Sequence, residues 1–185
     1  MKVKLIVYIS VLFLLSGCKT KQPLTENIIG TSQSGTSNPS TKFMEQTTWI
    51  LGYFTRDLMM RPPHSEWYNK GYDEYRPDSG TMDRLRKTAK DDLTVTIVLG
   101  SWCPDSRREV PRFLRITDMC GFPIEKITFI GVDNQKIAPV GEYEKLNIVR
   151  VPTFIFYKNN VEAGRIIEVP VTSLEQDMVD ILTRE

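Results

Sequence analysis

Apolar positions along this chain change period several times, and each change marks an element. Residues 93 to 99, Leu-Thr-Val-Thr-Ile-Val-Leu, are β-branched and apolar, the pattern of a strand buried in a sheet. Pro104 suits the first turn of a helix that the pattern carries to about Cys120, with Gly121 as its stop signal. "KITFIGVD" predicts a second buried strand ending at Asp133, "GEYEKLNI" a short helix or helical turn, "VPTFIFYKN" a third strand and "EAGRIIEVP" a fourth, with Asn159 and Asn160 at the turn. Ser173 is placed to cap a final helix with Leu174, Met178 and Ile181 or Leu182 on one face.

Upstream of residue 93 the pattern predicts more helix. Ile50, Tyr53, Phe54, Asp57 and Leu58 recur at three- and four-residue spacings, so residues 45–60 read as an amphipathic helix ended by Pro62-Pro63. Residues 64–80 read as an aromatic-rich loop holding Trp67, Tyr68, Tyr72 and Tyr75. Asp78 or Ser79 then caps a helix with Met82, Leu85 and Ala89 on one face. The order strand, helix, strand, short helix, strand, strand, helix predicts an α/β fold with a mixed central sheet flanked by helices. No segment repeats at a fixed period.

With 185 residues, 41% of them hydrophobic, the chain is the size of one domain with a single core. Its first residues fit a different purpose. Lys2 and Lys4 precede an apolar run from Leu5 to Leu15, about eleven residues, which is too short to span a bilayer and right for a signal peptide. Leu15-Ser16-Gly17-Cys18 then resembles a bacterial lipobox, which implies cleavage before Cys18 and lipidation (palmitate and related acyl chains) of that cysteine. An acylated Cys18 anchors a protein to a membrane surface without spanning it. Localisation is therefore expected in the bacterial cell envelope. Lys19 and Thr20, with no acidic residue there, lean toward the outer membrane facing the periplasm in a Gram-negative cell. The expected organisation is a signal peptide over 1–17, a flexible polar tether over 18–42, an N-terminal helical and aromatic extension over 43–92, and the main domain over 93–185.

The chain carries a formal charge of +1, and loss of Lys2 and Lys4 changes this to −1, so nothing electrostatic favours nucleic acid as a partner. With Cys18 lipidated, only Cys103 and Cys120 remain, which excludes a disulfide-stapled scaffold. No His, Cys or carboxylate group has metal-ligand spacing and no glycine-rich phosphate motif occurs, so neither metal nor cofactor is expected. His64, the single histidine, is expected to be an exposed loop residue, not the base of a Cys–His hydrolase.

Three motifs converge on Cys103. Trp102-Cys103-Pro104-Asp105-Ser106 sits at a strand-to-helix junction, Pro111 lies eight residues after the cysteine, and Val151-Pro152-Thr153 opens the next-to-last strand. From Leu93 onward the chain resembles the thioredoxin-like superfamily, whose reactive cysteine, helix-kinking proline and cis-proline occupy these positions. The resemblance implies a thioredoxin-like fold, Cys103 as nucleophile, Trp102 and Pro152 shaping its surroundings, and Val151, Pro104 and Thr153 against an extended substrate segment. A helix beginning at the cysteine favours thiolate over thiol through its unpaired N–H groups and dipole.

The departures define what chemistry is left. Ser106 stands where dithiol members carry the resolving cysteine, and Ile97 and Phe129 stand where they carry a buried acid and an accompanying lysine. Cys120 cannot take over: 17 helical residues at ~1.5 Å each put it roughly 25 Å away, against the ~7 Å a disulfide allows between Cα atoms. It reads as a small buried apolar residue. The implied activity is monothiol thiol–disulfide exchange, of the isomerase or mixed-disulfide reductase type, with protein thiols and disulfides or glutathione-like thiols as partners and Ser106 hydrogen-bonding the thiolate. The competing reading is a redox-inactive module that binds a protein or peptide in the same groove. Arg107 and Arg108 read as a solvated helix face, and the aromatics of 67–75 as core closure.

Overall fold

The structure is a computed structural model that describes residues 48–88 and 90–184. The expected signal peptide, Cys18, the tether and Ala89 lie outside the described residues. Among the described residues five strands form one mixed sheet in the order β1-β3-β2-β4-β5: β1 (Gly52–Phe54), β2 (Leu93–Leu99), β3 (Ile127–Gly131), β4 (Thr153–Lys158) and β5 (Val161–Ile167). Among the described residues four helices accompany them: α1 (Ser65–Glu74), α2 (Ser79–Lys87), α3 (Pro104–Met119) and α4 (Leu174–Leu182). β2 and β3 are parallel, joined through α3, while β2 with β4 and β4 with β5 are antiparallel. The mixed α/β sheet predicted from the strand and helix order is thus present.

Side chains of β2 alternate between two cores, as a pleated strand requires. Val95, Ile97 and Leu99 enter the larger core with Phe113, Phe154 and Phe156, where Phe113 stacks on Phe154 at 4.5 Å between centroids. Val98 enters a smaller core with Ile130, Val132, Ala138, Tyr143 and Val151, on the face covered by residues 132–151 and a 3₁₀ turn at Tyr143–Leu146. Ile97 is fully buried, faces Phe129 across β3 and Phe154 across β4, and belongs to an apolar layer with no place for a carboxylate.

The segment before residue 93 departs from the sequence reading in three ways. Residues 45–60 hold no α-helix among the described positions. Gly52–Phe54 is instead an antiparallel edge strand on β3, followed by a 3₁₀ turn at Arg56–Leu58. Long-range pairing wins here over local periodicity: Tyr53 and Leu58, which the helical pattern places on an apolar face, are exposed. The aromatic stretch is helix, not loop, since α1 spans Ser65–Glu74. It packs on α3, burying Tyr68 and partly burying Trp67, Tyr72 and Tyr75 against the core. Gly71 sits where Pro111 comes close; an added Cβ would lie 2.5 Å from the proline ring. The third correction is His64, which is only 7% exposed at the start of α1, beside the cis Pro62-Pro63 bond.

Polar ties hold this segment to the rest. Arg56 donates two hydrogen bonds to the Asp118 carboxylate, at 2.9 and 2.7 Å, and its Nε to the Tyr68 hydroxyl, while the Tyr72 hydroxyl donates to the same carboxylate. Glu175, buried on α4, accepts from the Tyr75 hydroxyl at 2.6 Å and from the Asp78 N–H at 3.0 Å. Asp78, one of the two residues offered as the cap, caps α2 by accepting from the Thr81 N–H, and Ser173 caps α4 through the Gln176 N–H as predicted.

Candidate active site at the β2–α3 junction

Cys103 lies where β2 hands the chain to α3. It is the N-cap residue, with extended backbone at φ −80° and ψ 125°, Pro104 supplies the first helical position, and the Cys103 carbonyl accepts the Arg107 N–H at 3.0 Å. The preceding turn is closed by a Cys103 N–H to Gly100 carbonyl bond of 2.9 Å. Gly100 admits no side chain, because a Cβ there would stand 2.6 Å from the Trp102 indole. The side chain of Cys103 is 7% exposed, and its S–H donates to the Val151 carbonyl at 3.3 Å. The Val151–Pro152 bond is cis, and Thr153 begins β4 immediately after it. The Val151 carbonyl and the cis-proline thus lie beside the Cys103 sulfur.

Other residues singled out from the sequence are placed less directly. Ser106 is fully buried and its Oγ accepts the Gly100 N–H at 3.2 Å, with no bond to the Cys103 sulfur among the described contacts. The hydrogen bond expected from Ser106 to the thiolate is not among the described contacts; the hydroxyl oxygen is engaged by the end of β2. Thr153 is also buried and donates its hydroxyl to the Arg150 carbonyl at 2.6 Å, which fixes the turn before the cis-proline. Trp102 is half-buried, with its indole N–H on the Val132 carbonyl at 3.0 Å and its ring 6.3 Å from Trp49. Pro104 is exposed at the mouth of a groove between α1 and α3. Cys120 is buried at the far end of α3, and burial pushes its thiol up from the ordinary value.

Sequence reading did not anticipate how firmly the 100–103 loop is held from upstream. Ser101 is buried, its Oγ accepts the Ile50 N–H at 2.9 Å, and its carbonyl accepts the Arg107 Nε–H at 2.6 Å. Ile50 also runs against Gly131, where an added Cβ would overlap the Ile50 carbonyl. Arg107 is therefore not merely a solvated arginine. It borders a cleft of about 370 Å³ whose other walls are Thr48, Pro63, His64, Glu66, Trp67 and Lys70. Burial, and then the charge of Arg107, hold the His64 imidazole below its ordinary value against a hydrogen bond with the Thr48 backbone. Arg108, by contrast, pairs with Asp105 and Glu109, and Arg112 with Glu109. Among the described residues no group of three or more His, Cys, Asp or Glu side chains is placed to hold a metal ion. No sequence signal marked His64 or Lys70, because their neighbourhood exists only once α1 is helical.

No protein-family model matches this chain, and no curated protein matches it. Solved structures do. A Pseudomonas aeruginosa protein of unknown function is similar over 64% of this chain and 78% of its own, at 15% identity and a TM-score of 0.44. Thioredoxin O2 from Arabidopsis thaliana, in its oxidized state, is similar over 55% of this chain and 85% of its own, at 24% identity and a TM-score of 0.38. Trxlp from Edwardsiella tarda is similar over 59% and 96%, at 22% identity and a TM-score of 0.36. The strand order, the parallel β2–β3 crossover through α3 and the cis-proline opening β4 define the architecture by themselves.

The fold is thioredoxin-like.

Proposed function

We propose that this chain is a lipid-anchored envelope protein that performs monothiol thiol–disulfide exchange through Cys103. The observation that carries the reading is the juxtaposition of the Cys103 sulfur, at the start of α3, with the Val151 carbonyl 3.3 Å away at the cis Val151–Pro152 bond. An extended substrate strand could displace that intramolecular bond and pair with the same backbone. In the reaction, the Cys103 thiolate attacks one sulfur of a substrate disulfide. The Cys103–substrate bond forms as the substrate S–S bond breaks, and the departing sulfur leaves as a thiolate that takes a proton from water. A thiol of the substrate, or a low-molecular-weight thiol that supplies the electrons, then attacks the mixed disulfide and releases Cys103. Ser106 leaves no internal resolving sulfur, so isomerisation and reduction of mixed disulfides fit, and self-contained dithiol cycling does not. Membrane attachment through Cys18 belongs to the same proposal and rests on the lipobox-like sequence.

The test is reduction of a mixed disulfide between a peptide and a small thiol, with wild type and Cys103→Ser compared. Cys103-dependent turnover is expected, and equal rates in the two proteins would overturn the reading. Labelling with a radioactive fatty acid, lost in Cys18→Ser, tests the anchor. The second reading, a module that binds without turnover, is favoured by one observation: the sulfur is 7% exposed and already hydrogen-bonded. It predicts peptide binding that survives Cys103→Ser with no exchange in either protein.

A further inference from the structure

We infer that Arg107 is the carboxylate-recognising residue of this site, so that the preferred substrates are thiols or disulfides carrying a carboxylate within a few bonds to a few residues of the reacting sulfur. This rests on the exchange activity proposed for Cys103 and adds its substrate class.

Arg107 differs from its neighbours in how its guanidinium is used. Arg108 and Arg112 spend their charge on Asp105 and Glu109, whereas Arg107 forms no ion pair among the described residues. Its Nε–H is fixed to the Ser101 carbonyl at 2.6 Å, and Ser101 is itself pinned by the Ile50 N–H. An arginine held through Nε keeps its two terminal NH₂ groups free in a set orientation, the arrangement that suits a carboxylate, and the ordering cost has already been met within the protein. The residue is exposed, so the charge is reachable.

Its position connects it to the sulfur. The Arg107 N–H donates to the Cys103 carbonyl, which places the residue one helical turn, about 5.4 Å of rise, beyond the cysteine. Two clefts meet at this residue. One, about 370 Å³, has His64, Trp67, Lys70 and Glu66 in its walls; the other, about 350 Å³, runs from Pro104 past Trp67, Lys70 and Glu74. A chain bonded to Cys103 can therefore pass over Pro104 and bring a carboxylate to Arg107 within about two residues at ~3.3 Å each. Burial and the Arg107 charge disfavour the protonated form of His64, and Lys70 adds a positive charge on the opposite wall. Glu66 and Glu74 flank Lys70 one turn away on either side along α1. They offset that lysine and repel an anion approaching the α1 wall, which leaves the α3 wall, and Arg107, as the anchoring side.

Two sources present this chemistry, a small carboxylated thiol and an acidic side chain beside a cysteine in a peptide, and the experiment separates them. Exchange rates with Cys103 would be measured for a small disulfide bearing 3-mercaptopropionate against one bearing 2-mercaptoethanol, and for a peptide disulfide with Asp against Asn two residues from the cysteine. A preference of about fivefold for the acidic member, the size of an exposed charge pair, is expected in at least one pair. It should shrink toward unity in Arg107→Gln, fall less in Arg107→Lys, and weaken in high salt. Preference in the first pair alone assigns the small thiol, and in the second alone the acidic peptide. Equal rates within both wild-type pairs, or a preference untouched by Arg107→Gln, would overturn the inference. If no probe reacts in a Cys103-dependent manner, the activity itself fails. Titration of Cys103→Ala protein with propionate, followed by the Arg107 side-chain NMR signals, then decides the carboxylate site alone: saturable shifts lost in Arg107→Gln sustain it, and none refute it.

Discussion

Replacing Ser106 by cysteine exposes how the missing second sulfur is built into this fold. Ser106 is fully buried in the first turn of α3, and its Oγ is the acceptor for the Gly100 N–H at 3.2 Å. A thiol is a weak acceptor and a larger atom, so the reduced Ser106→Cys protein leaves that N–H poorly satisfied. The loss of one buried hydrogen bond costs about 1 kcal/mol, or about 2–4 °C in the melting temperature of a domain this size. Residues three apart on a helix have Cβ atoms about 5–6 Å apart, slightly beyond disulfide distance, so modest adjustment of the α3 N-terminus lets Cys103 join the introduced thiol. The assay is thermal unfolding under reducing conditions, followed by thiol labelling after mild oxidation. The reduced variant should melt below wild type, and after oxidation Cys120 should be the one labelled cysteine among the described residues. Reduced melting equal to wild type, with Cys103 and the introduced thiol both still labelled after oxidation, would refute the account of Ser106 as a backbone acceptor beside a bridgeable sulfur.

Three further outcomes are expected. Burial alone would raise the Asp118 and Glu175 carboxyls, but hydrogen bonds from Arg56 and Tyr72, and from Tyr75 and the Asp78 N–H, hold both below their ordinary values. A depressed folded pKa gives stability that is complete above the unfolded value of about 4 and is lost as pH falls through the folded value. Melting temperature should therefore drop below about pH 4, less steeply in Glu175→Gln, and an identical slope in that variant would exclude Glu175 as a contributor. Gly131→Ala should destabilise by about 1–3 kcal/mol, since its Cβ overlaps the Ile50 carbonyl; denaturant unfolding with an unchanged midpoint counts against the close approach. The Cys120 thiol, pushed up by burial, should resist alkylation at neutral pH until denaturant is added, and rapid labelling of the native protein would contradict its placement.

What could be read from the sequence, and what could not, divides along the range of the interactions. β2, α3 and the hairpin of β4 and β5 carry their own patterns, and their caps are local: Pro104, Gly121 at φ +70°, Asn159 and Asn160 with positive φ, and Ser173. Cys103 and Pro152 were legible because motif residues mark them, although the Val151 carbonyl that the Cys103 S–H reaches is 48 positions away. β1 was not legible. Three residues cannot display a period, and what makes them a strand is β3, together with the Ile50–Ser101 bond across 51 positions. α1 was hidden by its composition. It starts at His64 without a side-chain cap and contains Gly71, whose poor helix propensity is outweighed by the close passage of Pro111 on α3. The interior of the candidate site was half legible. Ile97 and Phe129 could be read as apolar replacements, while the partners of Ser106 and Arg107 depend on the way the 100–103 loop folds back.

The bond between Ile50 and Ser101 has a mechanical side. Near the N-terminal end of the described residues the Thr48 backbone bonds His64, while the Trp49–Trp102 ring contact and the Ile50–Ser101 hydrogen bond are made to the loop that carries Cys103. A load applied to the chain from its N-terminal side is thus shared by the start of α1 and that loop before it reaches the sheet. Pulling from that end and pulling between two points on β5 and α4 should differ in how soon the sulfur becomes reactive to a thiol probe, with the N-terminal pull exposing Cys103 at lower force.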